Sequence, residues 1–586
     1  MSMSRYLWKI FRYQPGVYAG LSVLLILYAS TFLGEGIVIR AFIDALTSPL
    51  SVGLAVWSII LFFVALRVGR TVLLVLNAVI ETTLRHTIGA LLRRNLFTHL
   101  LDLPGAQALS SSPGEMITYF RDDVAEIAMF LVSSVVALAT LLTSLVAVLI
   151  MAGTSLLMTL IVFLPFVIIF IFISLIGSRV RKYRGVSRRA TGNITRSIRE
   201  IFQTVQAIQL ANAQERVIDQ FRGINDTRRK AALVERVFTA LLQAFSANIV
   251  NLSMGLVLLF AGPLLLAGHF SLGDFALFLS YLVITTTLPN ILGSFLMRYK
   301  QAGVSFERMQ SLLTASSPDQ LVAYGPVYLR GEYPPIPPIV RTGSDKLERL
   351  QVRGLTYHYP ASSNGIENVD LDLHRGSFTV ITGRIGSGKT TLLRVLLGLL
   401  SEEEGIMYWN EKQITDPSSF FIPPRCAYTP QVPRLFSQTL KENILLGKRD
   451  QPECLQTALH LAVLDEDLVS LERGIDTTIG PRGVKLSGGQ LQRAAAARMF
   501  VNNAHLYVFD DLSSALDIKT EQLLWQRLFE QQERTCLVVS HRKAALLHAD
   551  HILVMKDGHM IAEGTLSKLL EECSEMQLLW SSEEEA

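Results

Sequence analysis

The chain has 586 residues, half of them apolar and only 18% charged, against roughly 25% charged in an ordinary soluble protein, so a single water-soluble core is excluded. A mean hydropathy of +0.36 places at least one of about three units in lipid. The net charge of +4 hides an asymmetry, because residues 1–320 carry 27 Lys and Arg against 16 Asp and Glu while the remainder carries 27 against 34; a basic apolar part is joined to an acidic polar one, and no nucleic-acid partner follows from the total.

Arg5, Lys9 and Arg12 precede an uncharged run from Tyr13 to Gly34. The run is too long for a signal-peptide core and has no obvious cleavage site, so it reads as a retained membrane span. The first two spans are expected from Val17 to about Ile43 and from Val52 to about Ile80, as a hairpin turning near Pro49. From Ile127 to Ser178 there are 52 residues without a charge. One helix of that length would reach roughly 78 Å, against roughly 30 Å of hydrocarbon. Two crossings follow, turning at Ala152-Gly153-Thr154-Ser155, where small and polar residues interrupt the apolar runs. Val237–Gly273 and Phe275–Met297 supply the fifth and sixth spans. Each has to be a helix, because lipid leaves no partner for a bare backbone.

The N-terminal segment holds three Lys or Arg, the connection from Glu81 to Glu126 four, and that from Arg179 to Arg236 fourteen, whereas the short turns between paired spans hold none. Both ends are therefore expected in the cytosol of a cell-membrane protein, with the two long connections continuing inward as helical arms. Glu35 and Arg40 fall in the first span, Arg67 and Arg70 in the second. Burying such charges singly is costly. In a hairpin Glu35 and Arg67 lie within about one helical turn in depth, and a polar translocation surface and a structural ion pair account for them equally well.

Pro326, Pro334, Pro335, Pro337 and Pro338 mark residues 316–346 as a linker. The expected division is 1–315 for the membrane part, 316–346 for the linker and 347–586 for the polar part. Cys426, Cys454, Cys536 and Cys573 all lie in the polar part, and no disulfide framework is read from them.

Within Ser377–Leu400 a β-branched strand runs directly into Gly383-Arg384-Ile385-Gly386-Ser387-Gly388-Lys389-Thr390-Thr391, and an apolar helical pattern follows. This is the context a phosphate-binding loop needs. The glycines let backbone N–H groups wrap a β-phosphate, and the helix N-terminus adds partial positive charge. Lys389 would bridge the β- and γ-phosphates, and the Thr390 hydroxyl would ligate Mg²⁺. Leu506-Tyr507-Val508-Phe509-Asp510-Asp511 reads as a buried parallel strand ending in two carboxylates. Asp510 there can hold the Mg²⁺ shell and Asp511 can orient water; taken alone, the run reads as a core strand.

Leu486-Ser487-Gly488-Gly489-Gln490-Leu491-Gln492-Arg493 resembles the signature of the ATP-binding cassette (ABC) transporter family, and other elements resembling that family's motifs follow in order. Tyr359 resembles the aromatic residue that stacks on adenine. Gln431, in Tyr428-Thr429-Pro430-Gln431, resembles the glutamine that senses Mg²⁺ and contacts the membrane domain. Ser514-Ala515-Leu516-Asp517 resembles the loop that crosses the dimer, and His541 the switch histidine at the γ-phosphate. In isolation Tyr359 is a strand aromatic and His541 a core histidine. The resemblance covers nearly the whole chain. It implies an all-α transmembrane domain of six helices followed by an α/β P-loop nucleotide-binding domain of the ABC ATPase type, working as a half-transporter of the exporter type. It further implies a dimer in which each ATP lies between residues 383–391 of one chain and Ser487, Gly488, Gly489 and Gln490 of the other. Asp511, His541 and Gln431 would serve hydrolysis, and Thr390, Gln431 and Asp510 would hold Mg²⁺.

Two residues depart from the pattern. The family usually has glutamate where this chain has Asp511, whose carboxylate sits back by roughly 1 Å, a displacement that can cost on the order of 100-fold in rate. The resemblance then points to the degenerate-site subunit of a heterodimer, with a homodimer of two impaired sites as the competing arrangement. Pro481 stands where exporters commonly carry a glutamate linked to coupling. Function is accordingly ATP-driven export of an unspecified substrate across a bilayer, with a non-pumping nucleotide-gated subunit, or import on the same fold, as alternatives.

Overall fold

The computed structural model describes residues 3–47, 54–103, 113–268, 270–312, 318–329, 331, 333–335, 346–360, 362–448, 451–480, 484–530 and 534–582. The chain divides into two compact units, one of Met1–His99 with Ser112–Gly331 and one of Leu100–Ser111 with Glu332–Ala586.

The first unit is helical: α1 (Met3–Tyr13), α2 (Pro15–Thr47), α3 (Leu54–Asp102), α4 (Pro113–Thr118), α5 (Val124–Thr154), α6 (Leu156–Gln203), α7 (Val205–Leu210), α8 (Gln214–Leu266) and α9 (Leu272–Leu312). Six of these are long. α3, α6 and α8 have 49, 48 and 53 residues, roughly 70–80 Å at 1.5 Å per residue, more than twice the hydrocarbon thickness. Among the described residues, α2, α3, α5 with its preceding turn, and α9 carry a stretch long and apolar enough to cross a membrane, and Leu156–Pro165 in α6 and Asn251–Leu266 in α8 are shorter apolar segments.

The break expected at residues 152–155 falls at Ser155, which is extended and whose hydroxyl accepts from the Met158 N–H at 3.4 Å, capping α6. The fifth uncharged run is not helical to its end. α8 stops at Leu266, Gly268 turns the chain with φ +74°, and α9 begins at Leu272, so Val237–Gly273 runs past the end of one helix and into the start of the next. Pro49, the expected first turn, lies outside the described residues. α2 and α9 are held by fully buried Tyr281, whose hydroxyl donates to the Leu33 carbonyl at 2.8 Å. Any Cβ at Gly36 would stand 2.4 Å from the Tyr281 ring, which is why the helix has no side chain there. Glu35 pairs with Arg67, as its depth suggested, and also with Arg70 at 3.2 Å; the Arg70 guanidinium stacks 3.4 Å over Phe32.

The second unit is α/β. A six-stranded sheet has the order β10-β9-β3-β8-β7-β6, built from β3 (Phe378–Thr382), β6 (Cys426–Thr429), β7 (Leu506–Asp510), β8 (Thr535–Val539), β9 (His551–Lys556) and β10 (His559–Gly564). It is parallel except for β10. A four-stranded antiparallel sheet, β2-β1-β4-β5, is formed by β1 (Arg349–His358), β2 (Gly365–His374), β4 (Glu404–Trp409) and β5 (Lys412–Ile414). The helices are α10 (Lys389–Leu396), α11 (Pro417–Phe420), α12 (Leu440–Leu445), α13 (Pro452–Leu461), α14 (Asp465–Ser470), α15 (Gly488–Phe500), α16 (Ile518–Phe529), α17 (Lys543–Leu547), α18 (Leu566–Glu572) and α19 (Ser574–Ser582). β3, β7 and β8 are buried at every residue, as parallel strands covered on both faces must be. Leu506 and Val508 face the core shared with the smaller sheet and α10, while Tyr507 and Phe509 face the core under α13, α15 and α16. Strand tips are thereby fixed, and with them the loops that follow.

Candidate nucleotide site

The loop from Gly383 to Gly388 joins β3 to α10, so α10 presents its N-terminus at the loop. Gly383 has φ +146°, and a Cβ there would stand 2.2 Å from the Met555 carbonyl oxygen; only glycine lets the loop pass β9 this closely. Gly388, at φ +99°, is the left-handed cap of α10. These turns leave a cavity of about 1300 Å³ whose wall includes the loop, Tyr359, Gln431, Asp510, Asp511 and His541.

Lys389 donates to the carbonyls of Gly383 and Arg384, both at 2.7 Å, and to the Ser387 hydroxyl at 3.4 Å. Burial lowers its pKa, against the pull of Asp511 and Asp510. The Thr390 hydroxyl donates to Asp510 at 2.9 Å, and Tyr428 donates to the other Asp510 oxygen at 3.3 Å. Burial raises the Asp510 pKa, those two hydrogen bonds and Arg394 opposing it and Asp511 adding to it. Asp511 follows β7 in the left-handed region, φ +53°, with its N–H on the Val539 carbonyl at 3.0 Å. Its carboxylate accepts from Gln431 at 3.1 Å. His541 is exposed, just beyond β8. Tyr359 is half-buried with its hydroxyl 3.3 Å from that of Thr391.

The residues read from the sequence thus fall into two groups. Residues 383–391 gather with Tyr359, Gln431, Asp510, Asp511 and His541. Ser487, Gly488, Gly489 and Gln490 do not line this cavity. They form the start of α15, where Ser487 and Gln490 make a capping box and Gln490 donates to Asp467 at 2.9 Å. Ser487 and Gly488 are exposed, so that helix start is open to a ligand. Pro481 lies outside the described residues.

Oxygen donors suit Mg²⁺, and the Thr390 hydroxyl beside the Asp510 carboxylate, with the Gln431 amide on the same cavity wall, fits that ion. Among the described residues no group of three or more His, Cys, Asp or Glu gathers.

Two connectors, one half-buried and one buried, were not read from the sequence. Tyr428 holds the second oxygen of Asp510; its place in β6, one strand from β7, is visible only once the strands are ordered. Gln492, 5% exposed, donates to the Gln431 carbonyl at 3.4 Å and accepts from the Ala515 N–H at 3.2 Å. It sits inside the signature-like string, which was the available signal.

A phosphate loop at a parallel strand tip, a carboxylate-ended strand two places away in the same sheet and a separate serine-capped helix define an ATP-binding cassette, here in one chain with a bundle of membrane-length helices. Residues 366–514 match the family described as ABC transporter and residues 21–288 its transmembrane region; the chain belongs to the ABC transporter family, as a half-transporter of the exporter type. It is similar to the ATP-dependent lipid A-core flippase of Photobacterium profundum, 26% identical over 82% of this chain and 80% of that one. It is also similar to YheI of Bacillus subtilis (strain 168), a probable multidrug resistance ABC transporter ATP-binding/permease protein, 27% identical over 84% of each. Its fold matches the structure of a bacterial Atm1-family ABC exporter with ATP bound, with a TM-score of 0.74 and 21% identity over 97% of this chain and 98% of that one.

Proposed function

We propose that the chain is one subunit of a dimeric, ATP-driven exporter of the cell membrane, with residues 1–315 spanning the bilayer, 316–346 linking, 347–586 binding nucleotide, and both termini in the cytosol. The observation that carries this reading is the separation of the two groups of site residues: the cavity holds everything needed to grip a nucleoside triphosphate from one side, while the exposed start of α15 offers N–H groups elsewhere. A second chain brings its α15 over the first chain's cavity, and the differential affinity of closed and open pairs for ATP drives the gate.

In the cavity Tyr359 stacks on the adenine, and the backbone of 383–388 wraps the phosphates. Lys389 leaves the loop carbonyls for the β- and γ-oxygens. Thr390, Asp510 and Gln431 would hold Mg²⁺, which neutralises phosphate charge during transfer. Asp511 orients the attacking water, Gln431 fixes Asp511, and His541 faces the γ-phosphate. Asp511 is one methylene short of the family's glutamate, so this chain's own cavity is the slow site of a heterodimer, and its Ser487 segment completes the partner's fast site. The same residue supports a second reading, a nucleotide-gated subunit that does not pump. Relatives named for lipid A-core flipping and multidrug resistance make amphipathic compounds the first substrates to try.

Proteoliposomes holding the full chain, alone and with a half-transporter bearing glutamate at the equivalent site, test the proposal with a fluorescent phospholipid and a cationic dye as probes. ATP-dependent vectorial movement, abolished by Lys389→Ala, is expected from the pair. Nucleotide binding without movement of any probe in either preparation would favour the gated subunit.

A further inference from the structure

The phosphate loop is held from a quarter that the reading above leaves unused. Arg384, the loop's second residue, pairs with Glu575 through both its Nε and Nη2. Glu575 belongs to the first turn of α19 and is 3% exposed. Its second oxygen also lies 3.4 Å from Lys556 at the end of β9. α19 is firmly seated, with fully buried Met576 in the core and the Trp580 ring under Lys543 at 4.7 Å. It also reaches the cavity itself, since Leu579 lines the wall. The C-terminal helix is therefore part of the nucleotide pocket.

The reason for this arrangement lies in Lys389, whose ammonium ties down the carbonyls of Gly383 and Arg384. When it turns to phosphate, both carbonyls lose that ammonium, the Arg384 carbonyl keeping the Ser387 N–H at 3.1 Å, at the moment the loop must hold its N–H groups inward. The neighbouring tie, from the Gly558 N–H to the Ser387 carbonyl at 3.2 Å, lies beyond the loop's crest. At the Gly383–Ile385 end the Arg384 side chain is what reaches across to a fixed element. A buried carboxylate with two cationic partners is suited to this, because bidentate guanidinium pairing fixes direction as well as distance.

We propose that Glu575 is a positioning residue for nucleotide binding: through Arg384 it keeps the phosphate loop in its wrapped form after Lys389 has turned to the phosphates. The inference rests on the reading of the cavity as an ATP site. Its test is ATP titration and steady-state turnover of the full chain in nanodiscs, with a fluorescent ATP analogue for affinity. Glu575→Gln, which keeps shape and removes charge, is expected to weaken nucleotide affinity and raise KM for ATP about tenfold, with kcat at saturating ATP within a factor of two. Arg384→Gln should do the same. The double variant should be no worse than either single one, because the pair acts as a unit. Unchanged affinity in Glu575→Gln, or losses that multiply in the double variant, would overturn the inference. If Glu575→Gln also lowers the nucleotide-free melting temperature, the double-variant comparison still decides. Failure of the unaltered chain to bind the analogue would instead sink the ATP-site reading.

Discussion

Lengthening a single side chain measures what the cavity lacks. In Asp511→Glu the backbone is fixed by the left-handed turn and by the N–H on Val539, so the added methylene goes into reach, about 1 Å further toward the cavity that Asp511 already lines. A displacement of that size at a reacting group is worth on the order of 100-fold in rate, or about 2.7 kcal/mol of barrier. Gln431, 3.1 Å from the present carboxylate, is a flexible donor that can follow it. Phosphate release by the full chain in nanodiscs, at saturating ATP and Mg²⁺, should therefore rise by one to two orders of magnitude in Asp511→Glu. It should fall in Asp511→Asn, and His541→Ala should cancel the gain. KM should move by no more than a few-fold, because the phosphate loop is untouched. If Asp511→Glu binds ATP normally and turns over no faster, carboxylate reach is not what limits this site, and the slow-site assignment fails with it.

Burial holds the Asp510 carboxyl above its ordinary range, so its neutral form is favoured by folding, and that contribution is present below the unfolded-state pKa and lost as pH rises through the folded one. Asp510→Asn should raise the nucleotide-free melting temperature at pH 7, with a smaller gain in acid; equal gains at both pH values would contradict the assignment. Gly383→Ala drives a Cβ onto the Met555 carbonyl, whereas at Gly386, φ +87°, a Cβ meets nothing within 4 Å. Nucleotide titration should show binding lost in the first and weakened only modestly, by about 1 kcal/mol of backbone strain, in the second; equal losses would mean the close approach to β9 is unimportant. Glu35→Ala leaves Arg67 and Arg70 without their carboxylate, a charge imbalance worth roughly 3 kcal/mol at membrane depth, and thermal unfolding should occur earlier by several degrees. Loss of transport with ATP turnover intact would place the cluster on the translocation surface, and an unchanged transport profile would make it structural.

What the sequence disclosed and what it hid divide by range. The phosphate loop, the Leu506–Asp510 strand and the break at Ser155 are each written in a few consecutive residues, because glycine conformations, two-faced burial and helix capping are local. The Glu35–Arg67 pair was legible across 32 residues because helix rise fixes depth in a hairpin, yet the part of Arg70 in the same cluster was not, since the rotation of one helix against another leaves no mark in spacing. Tyr428 on Asp510 required the strand order. Arg384 and Glu575 are 191 residues apart, and an arginine in a loop and a glutamate in a terminal helix carry no pattern that joins them. The end of α8 was misjudged because absence of charge extends through the Gly268 turn as readily as through a helix.

Gln492 carries a further consequence, because its amide grips two loops from the shaft of α15. Neither the Gln431 strand end nor the turn containing Ala515 can drift without tugging that shaft. Two hydrogen bonds thus join the cavity wall that Gln431 lines to the helix whose start is exposed, a mechanical link in the manner of a lever.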